Sequence, residues 1–246
     1  MQTEPSFVVV GHRGNPEYFP ENSLVGLTQT VAAGVTAVEF DVQCTQDGEL
    51  ILLHDEDFMR VAGVSAHAHS VSFAQACSID VAEEQRFGSK FRGEKTPSLT
   101  QVCHALQNGP EYVFVEIKSE AVGYLGFDGA MQKLLEATAA IAEQRIFISY
   151  HYEFLSFLKQ ETGQKIGWVM TCYDDASLAQ ADKLQPEYLI CNKNKLPKTG
   201  KLPTNTWAWF VYDVVELQEA IALQKRGVKF IESWNPQALL QPVPAE

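Results

Sequence analysis

Short apolar runs alternate with longer stretches of helical periodicity along almost the whole chain, and few folds accept that rhythm. Strand-like runs fall at Phe7–Gly11, Ala37–Gln43, Tyr112–Lys118, Ile146–Tyr150, Lys165–Met170, Tyr188–Cys191, Trp207–Tyr212 and Lys229–Glu232. Helical patterns fill Glu21–Ala33, Phe127–Gln144, Tyr152–Glu161, Asp175–Lys183 and Val215–Arg226. Eight β/α alternations call for an α/β fold with a parallel sheet closed on itself, a (β/α)8 or TIM barrel. Right-handed crossovers favour the same topology. The 246 residues fit one such barrel, which typically takes roughly 250, so 1–246 is read as a single domain.

Two stretches break the rhythm. Arg60–Pro97 has mixed polarity and holds Gly63, Gly88 and Gly93, and is read as a small insertion after the second strand. Asn192–Thr206 is basic, carries two prolines and replaces the sixth crossover helix by a loop.

Strands of a parallel barrel are buried on both faces and should be almost uniformly apolar. Two are not. Alternation puts Glu39, Asp41 and Gln43 on one face of the second strand, with Val38, Phe40 and Val42 on the other. Phe114, Glu116 and Lys118 share a face in the same way. Three carboxylates and a lysine thus point into the barrel near the strand ends where such folds build active sites. Buried carboxylates need compensation. A hard divalent cation, Mg2+ or Ca2+, would supply it, as all the candidate ligands are oxygens; so would an ion-pair network with Lys118 and Arg13.

His12 directly follows the first strand in Gly11-His12-Arg13-Gly14, and His54 ends the run Leu50-Ile51-Leu52-Leu53 with Asp55 behind it. Both belong on the carboxylate rim, where histidine can give or take a proton near neutral pH. Gly14 suits a sharp turn at the barrel mouth, and Asp47-Gly48 a tight turn after the second strand. His67 and His69 form an H-x-H pair in the insertion, read as a solvated loop rather than a metal site; His104 and His151 are read as structural.

Lys plus Arg is 19 against 31 for Asp plus Glu, a net charge of −12, which disfavours nucleic acid and anionic membrane surfaces as partners. An anionic substrate would need a local positive site. Cys44, Cys77, Cys103, Cys172 and Cys191 are odd in number, widely spaced and without C-x-x-C, so they are read as core residues of a protein in a reducing compartment. No run is long enough to span a membrane, and the N-terminus, Met1-Gln-Thr-Glu-Pro, lacks the pattern of a signal peptide. The expectation is a cytoplasmic protein. No feature decides its oligomeric state.

Gly11-His12-Arg13-Gly14, Pro20-Glu21-Asn22-Ser23, Glu39-Phe40-Asp41-Val42, Thr45-x-Asp47-Gly48, His54-Asp55 and Glu116-Ile117-Lys118, in that order, resemble the glycerophosphodiester phosphodiesterase family, in its cytoplasmic bacterial form. Phe91–Leu99 resembles the family's segment leading into the second barrel helix. The likeness implies a (β/α)8 barrel that hydrolyses glycerophosphodiesters, small-molecule substrates, to glycerol 3-phosphate and an alcohol. It implies Glu39, Asp41 and Glu116 as ligands of one Mg2+ or Ca2+, and His12 and His54 as general acid and base. Arg13 and Lys118 would hold phosphate oxygens, with Glu21 and Asn22 supporting the first loop. The C-terminal half departs from the family: Trp209-Phe210-Val211-Tyr212 stands for a W-T-V-N-like sequence, and Glu232-Ser233-Trp234-Asn235-Pro236 for a T-D-x-P-like one. Trp209 is a candidate contact for a choline head group through cation–π attraction, or simply a wall aromatic. Two alternatives remain: a sphingomyelinase D-like phosphodiester lyase, and a non-catalytic barrel that binds phosphodiesters.

Overall fold

A computed structural model describes residues 7–203 and 205–240. Residues 1–6, where the signal-peptide question falls, lie outside these, as do Thr204 and 241–246. The strands are β1 (Val8–Gly11), β2 (Ala37–Cys44), β3 (Leu50–Leu52), β4 (Tyr112–Ile117), β5 (Arg145–Ser149), β6 (Ile166–Val169), β7 (Tyr188–Asn192), β8 (Ala208–Tyr212) and β9 (Val228–Ser233). The helices are α1 (Leu24–Ala32), α2 (Met59–Ala62), α3 (Phe73–Ala76), α4 (Glu84–Phe87), α5 (Leu99–Leu106), α6 (Ser119–Ala137), α7 (Tyr152–Thr162), α8 (Asp175–Leu184), α9 (Leu217–Lys225) and α10 (Pro236–Leu239). Eight strands pair in parallel in the order β1-β9-β8-β7-β6-β5-β4-β2, and β2 closes the ring on β1. This is the (β/α)8 barrel expected from the alternation. β3 runs antiparallel to β2, joined to it by the Asp47-Gly48 turn, with Gly48 at φ +76°.

Each expected strand is present with its ends within a residue of the expected ones. Helix boundaries moved more. α1 starts at Leu24 because the Ser23 hydroxyl caps Gly26 N–H, while Asn22 sits at φ +51° and keeps Glu21-Asn22 in the loop. α6 begins eight residues before the expected Phe127 and is broken at Gly126 (φ +70°). Between β7 and β8 there is a 3-10 turn at Lys193–Lys195 and no further helix among the described residues, as the two prolines suggested. Arg226 holds this loop through the carbonyls of Pro197 and Gly200.

The barrel interior is filled at its base by Val10, Phe114, Ile146, Tyr188, Phe210 and Phe230 with their neighbours. Phe114 meets Phe210 at 4.9 Å and Tyr188 at 5.1 Å, both edge to face. This plug leaves only the upper layer for polar side chains. Phe114→Ala is expected to cost about 3–5 kcal/mol, read as a lower urea midpoint with an unchanged slope.

The outer faces of the strands pack on the helices in a second, larger core. Between β3 and α5 the chain forms α2, α3 and α4 around a small core of its own, in which Phe58, Val61, Ala76 and Val81 pack on Ile51 and Leu53. The five cysteines are free. Cys44, Cys103 and Cys191 are buried as expected, but Cys172 is exposed, its thiol 3.2 Å from an Asp174 carboxylate oxygen. It follows β6 on the rim, 3.3 Å from the Ser177 hydroxyl of α8. No helix among the described residues is long and apolar enough to cross a membrane.

Candidate active site

The strand ends carry the chemistry. The loop after β1 turns back at Gly14 (φ +90°), where a Cβ would lie 3.0 Å from the backbone of Gly26. This tight approach aims Arg13, itself at φ +51°, across the barrel mouth. Its backbone N–H donates to Glu39 Oε2 at 3.0 Å. Its guanidinium lies 3.0 Å from Asp41 Oδ2 and 3.1 Å from Glu21 Oε1. Asn22 clamps Asp41 at both ends: its amide donates to Oδ2 at 2.8 Å, and its Oδ1 accepts from the Asp41 N–H at 3.0 Å.

Asp41 and Glu116 face each other across β2 and β4. Lys118 bridges them, with Nζ 2.6 Å from Asp41 Oδ1 and 2.5 Å from Glu116 Oε1. Burial alone would raise the Asp41 pKa, but Lys118 and Arg13 hold it far below the usual carboxylate range. Glu39 is in the opposite condition. Burial, then Asp41, Glu232 and Glu116, push it well above that range, with Arg13 in opposition.

This pattern bears on the choice between cation and ion-pair network. Four inward carboxylates, Glu39, Asp41, Glu116 and Glu232, are at most 9% exposed. The ion pairs of Arg13 and Lys118 reach Asp41 and Glu116 but neither Glu39 nor Glu232. Glu39 Oε1 and Glu232 Oε1 are buried without any hydrogen-bond partner. Glu39, Asp41 and Glu116 can present one oxygen each, all within 4.8 Å of one another. An all-oxygen set with surplus negative charge and an orphaned oxygen fits a hard divalent cation.

His12 is buried, its Nε2 4.0 Å from Glu39 Oε2 and its Nδ1 3.1 Å from Asp213 Oδ1. Burial lowers its pKa, with Asp213 in partial opposition, so the neutral imidazole is favoured. Asp213 is anchored in turn by the Trp234 indole N–H at 3.0 Å. His54 is more exposed, with Nδ1 2.7 Å from Asp55 Oδ1. Arg60 from α2 then joins Asp55 to Glu21, linking the second histidine's support to the first loop. Both histidines line one cavity of about 140 Å3 together with Arg13, Asp41, Glu116 and Lys118. It shares His54, Lys118 and Tyr150 with a wider groove of about 620 Å3.

One sequence-based candidate lies elsewhere. Trp209 is buried on the outer face of β8, where its indole donates to Pro203 O at 2.9 Å and its ring packs near Tyr173. Alternation along β8 turns Phe210 and Tyr212 inward and Trp209 outward, so it cannot meet a substrate in the cavity. The aromatic rings at the cavity are Tyr150, Tyr212 and Trp234, the two tyrosine hydroxyls 2.7 Å apart. His67 and His69 are exposed and belong to no cluster able to hold a metal among the described residues. His151 caps α7 by accepting the Phe154 N–H.

A model of the Glycerophosphoryl diester phosphodiesterase family matches residues 12–205. The chain belongs to this family. Membership puts it among the phosphoric diester hydrolases. It is 28% identical over 244 residues to the glycerophosphodiester phosphodiesterase of Caldanaerobacter subterraneus subsp. tengcongensis, covering 96% of this chain and 97% of that one. It is 30% identical over 117 residues to glycerophosphodiester phosphodiesterase 1 of Rattus norvegicus, a match that spans 46% of this chain and about a third, 34%, of the rat protein. In structure it is similar to a phosphodiesterase of Oleispira antarctica solved in complex with the product sn-glycerol-3-phosphate, with a TM-score of 0.82 at 19% identity, covering 96% and 95% of the two chains.

Asp213, Glu232, Asp55 and Arg60 were given no role from sequence. Glu232 was accessible to the argument used for Glu39, because alternation along the last strand sets it on one face with Phe230. Asp213 had no such signal, since a single acid after a strand end is common. Its contact with His12 makes it a positioning residue. Asp213→Asn is expected to lower kcat by up to the roughly 10²–10⁴-fold worth of the histidine itself, to shift the pH–rate profile, and to leave KM nearly unchanged.

Proposed function

We propose that this chain hydrolyses glycerophosphodiesters to glycerol 3-phosphate and an alcohol, with a divalent cation at Glu39, Asp41 and Glu116 and with His12 and His54 as the acid–base pair. The observation that carries the reading is that His12, His54, Asp41 and Glu116 line one cavity, with Glu39 within ligand distance of the two acids, in a member of this family. The name of the Caldanaerobacter relative and the glycerol 3-phosphate bound to the Oleispira enzyme support the choice of substrate.

When bound, Mg2+ or Ca2+ would polarise a phosphoryl oxygen as a Lewis acid. The chain's own residues do the rest. Lys118 uses two of its three N–H donors on Asp41 and Glu116, which leaves one for a nonbridging phosphate oxygen. Arg13 is held at the same rim by Glu21 and Asp41, so its charge faces the phosphate without needing to be ordered on binding. One histidine takes the proton of the attacking oxygen, from water directly or from the glycerol 2-hydroxyl with water then opening the cyclic phosphate, and the other gives a proton to the departing alkoxide oxygen. Asp213 and Asp55 each hold a histidine Nδ1, which leaves both Nε2 atoms for proton transfer. The cysteines, all free, suit a reducing compartment, and the cytoplasm is the proposed location.

Product analysis tests the reaction. Glycerophosphocholine and glycerophosphoethanolamine are incubated with the protein and followed by phosphorus NMR. Glycerol 3-phosphate as the final product is expected. A cyclic phosphate that persists would make the chain a lyase of the sphingomyelinase D type, and ligand binding without any product would make it a non-catalytic binding barrel.

A further inference from the structure

We infer that Glu232 and Glu39 hold a second divalent cation, beside the one held by Glu39, Asp41 and Glu116. The inference rests on reading that first cluster as a cation site. Glu232 lies on β9, in register with Val10 of β1, and lines the same cavity as His12 and Asp41. It is 4% exposed, and its Oε1 has no hydrogen-bond partner. Glu39 is bound on one side only: Oε2 takes the Arg13 N–H, and Oε1 is buried and unpartnered. His12, Glu39 and Glu232 present donor atoms within 4.8 Å of one another, as Glu39, Asp41 and Glu116 do. Glu39 is the member common to both groups.

Among the described residues, no lysine or arginine ion pair reaches this side. The ion pairs of Arg13 go to Asp41 and Glu21, and those of Lys118 to Asp41 and Glu116. A barrel strand would place an aliphatic residue here by default. A buried carboxylate with no counter-charge is costly, and a cation between Glu39 and Glu232 would relieve that cost. Mg2+ is satisfied by one or two carboxylates with water and substrate phosphate completing its shell. Glu39 and Glu232 meet that requirement without His12, whose Nδ1 side is held by Asp213. Two cations that share a carboxylate would supply charge stabilisation for both the attacking and the leaving oxygen of a phosphodiester.

Mn2+ is the probe. Protein stripped of metal by a chelator and dialysed is titrated with Mn2+ by calorimetry, and the loaded sample is examined by electron paramagnetic resonance. The wild-type chain is expected to take two Mn2+ and to show the spectrum of an exchange-coupled pair. Glu232→Gln, nearly isosteric and relieved of an unneutralised charge, is expected to fold, to take one Mn2+ and to show an isolated-ion spectrum. One Mn2+ in the wild type with an isolated-ion spectrum would overturn the second site and leave the first standing. No Mn2+ at all would overturn both. Should the variant fail to fold, the wild-type stoichiometry and spectrum still decide.

Discussion

Replacement of His12 by alanine is expected to lower glycerophosphodiester turnover by roughly 10²–10⁴-fold, and His54→Ala by a similar factor. Neither histidine serves as a structural anchor. His12 contacts Asp213, which retains its Trp234 hydrogen bond, and lies 4.0 Å from Glu39, which retains the Arg13 N–H, while His54 contacts Asp55, which retains Arg60. Both variants should therefore keep the circular dichroism spectrum and urea midpoint of the wild type within about 1 kcal/mol. The carboxylate cluster is untouched, so cation binding measured by calorimetry should persist. Loss of turnover with retained cation binding is the signature of proton transfer. Near-normal turnover in either variant would remove that histidine from the chemistry.

Asp41→Asn is expected to abolish activity and to destabilise the metal-free protein by about 3 kcal/mol, the lower end of the range for breaking a buried ion pair. The lower end applies because Lys118 keeps Glu116 and Arg13 keeps Glu21 when Asp41 loses its charge. For a chain of this length the loss corresponds to about 6–12 °C in Tm. Glu39→Gln should behave in the opposite way. No ion pair of Arg13 or Lys118 reaches Glu39, and its charge is opposed by burial and by neighbouring carboxylates. Its neutral replacement is expected to leave the metal-free protein as stable as the wild type or more so, while eliminating activity. Saturating divalent cation should stabilise the wild type by about 2.7 kcal/mol at a hundredfold excess over Kd and Glu39→Gln far less. Scanning calorimetry of the three proteins with and without cation reads all of this. Equal destabilisation by the two substitutions, with no response to cation, would mean that the cluster is only an ion-pair network.

The barrel was legible because each strand had a simple reason to be apolar. Polar residues inside strands then stood out: Glu39, Asp41 and Glu116 were exceptions to the rule that parallel strands are buried on both faces. The same rule would have drawn attention to Glu232, whose strand is short enough for its single acid to look like an end. Trp209 shows the converse error. An aromatic ring near a strand end was given a role by chemistry alone, whereas counting by twos from Tyr212 turns it outward. Asp213 reaches His12 and Arg60 reaches Glu21 through contacts between segments far apart in the chain, and no local period reports those. The early start of α6 was hidden by its break at Gly126, which interrupts the helical period read from Phe127. The supporting shell, unlike the barrel, is written in no repeat.

The most direct test is release of glycerol 3-phosphate from glycerophosphocholine by protein stripped of metal, then supplied with Mg2+ or with Ca2+, with His12→Ala beside it. Release that is absent after stripping, restored by one of the two cations and lost in His12→Ala is the expected result. Undiminished release from the stripped protein, or none with either cation, would contradict a cation-dependent diesterase built on Glu39, Asp41, Glu116 and the two histidines.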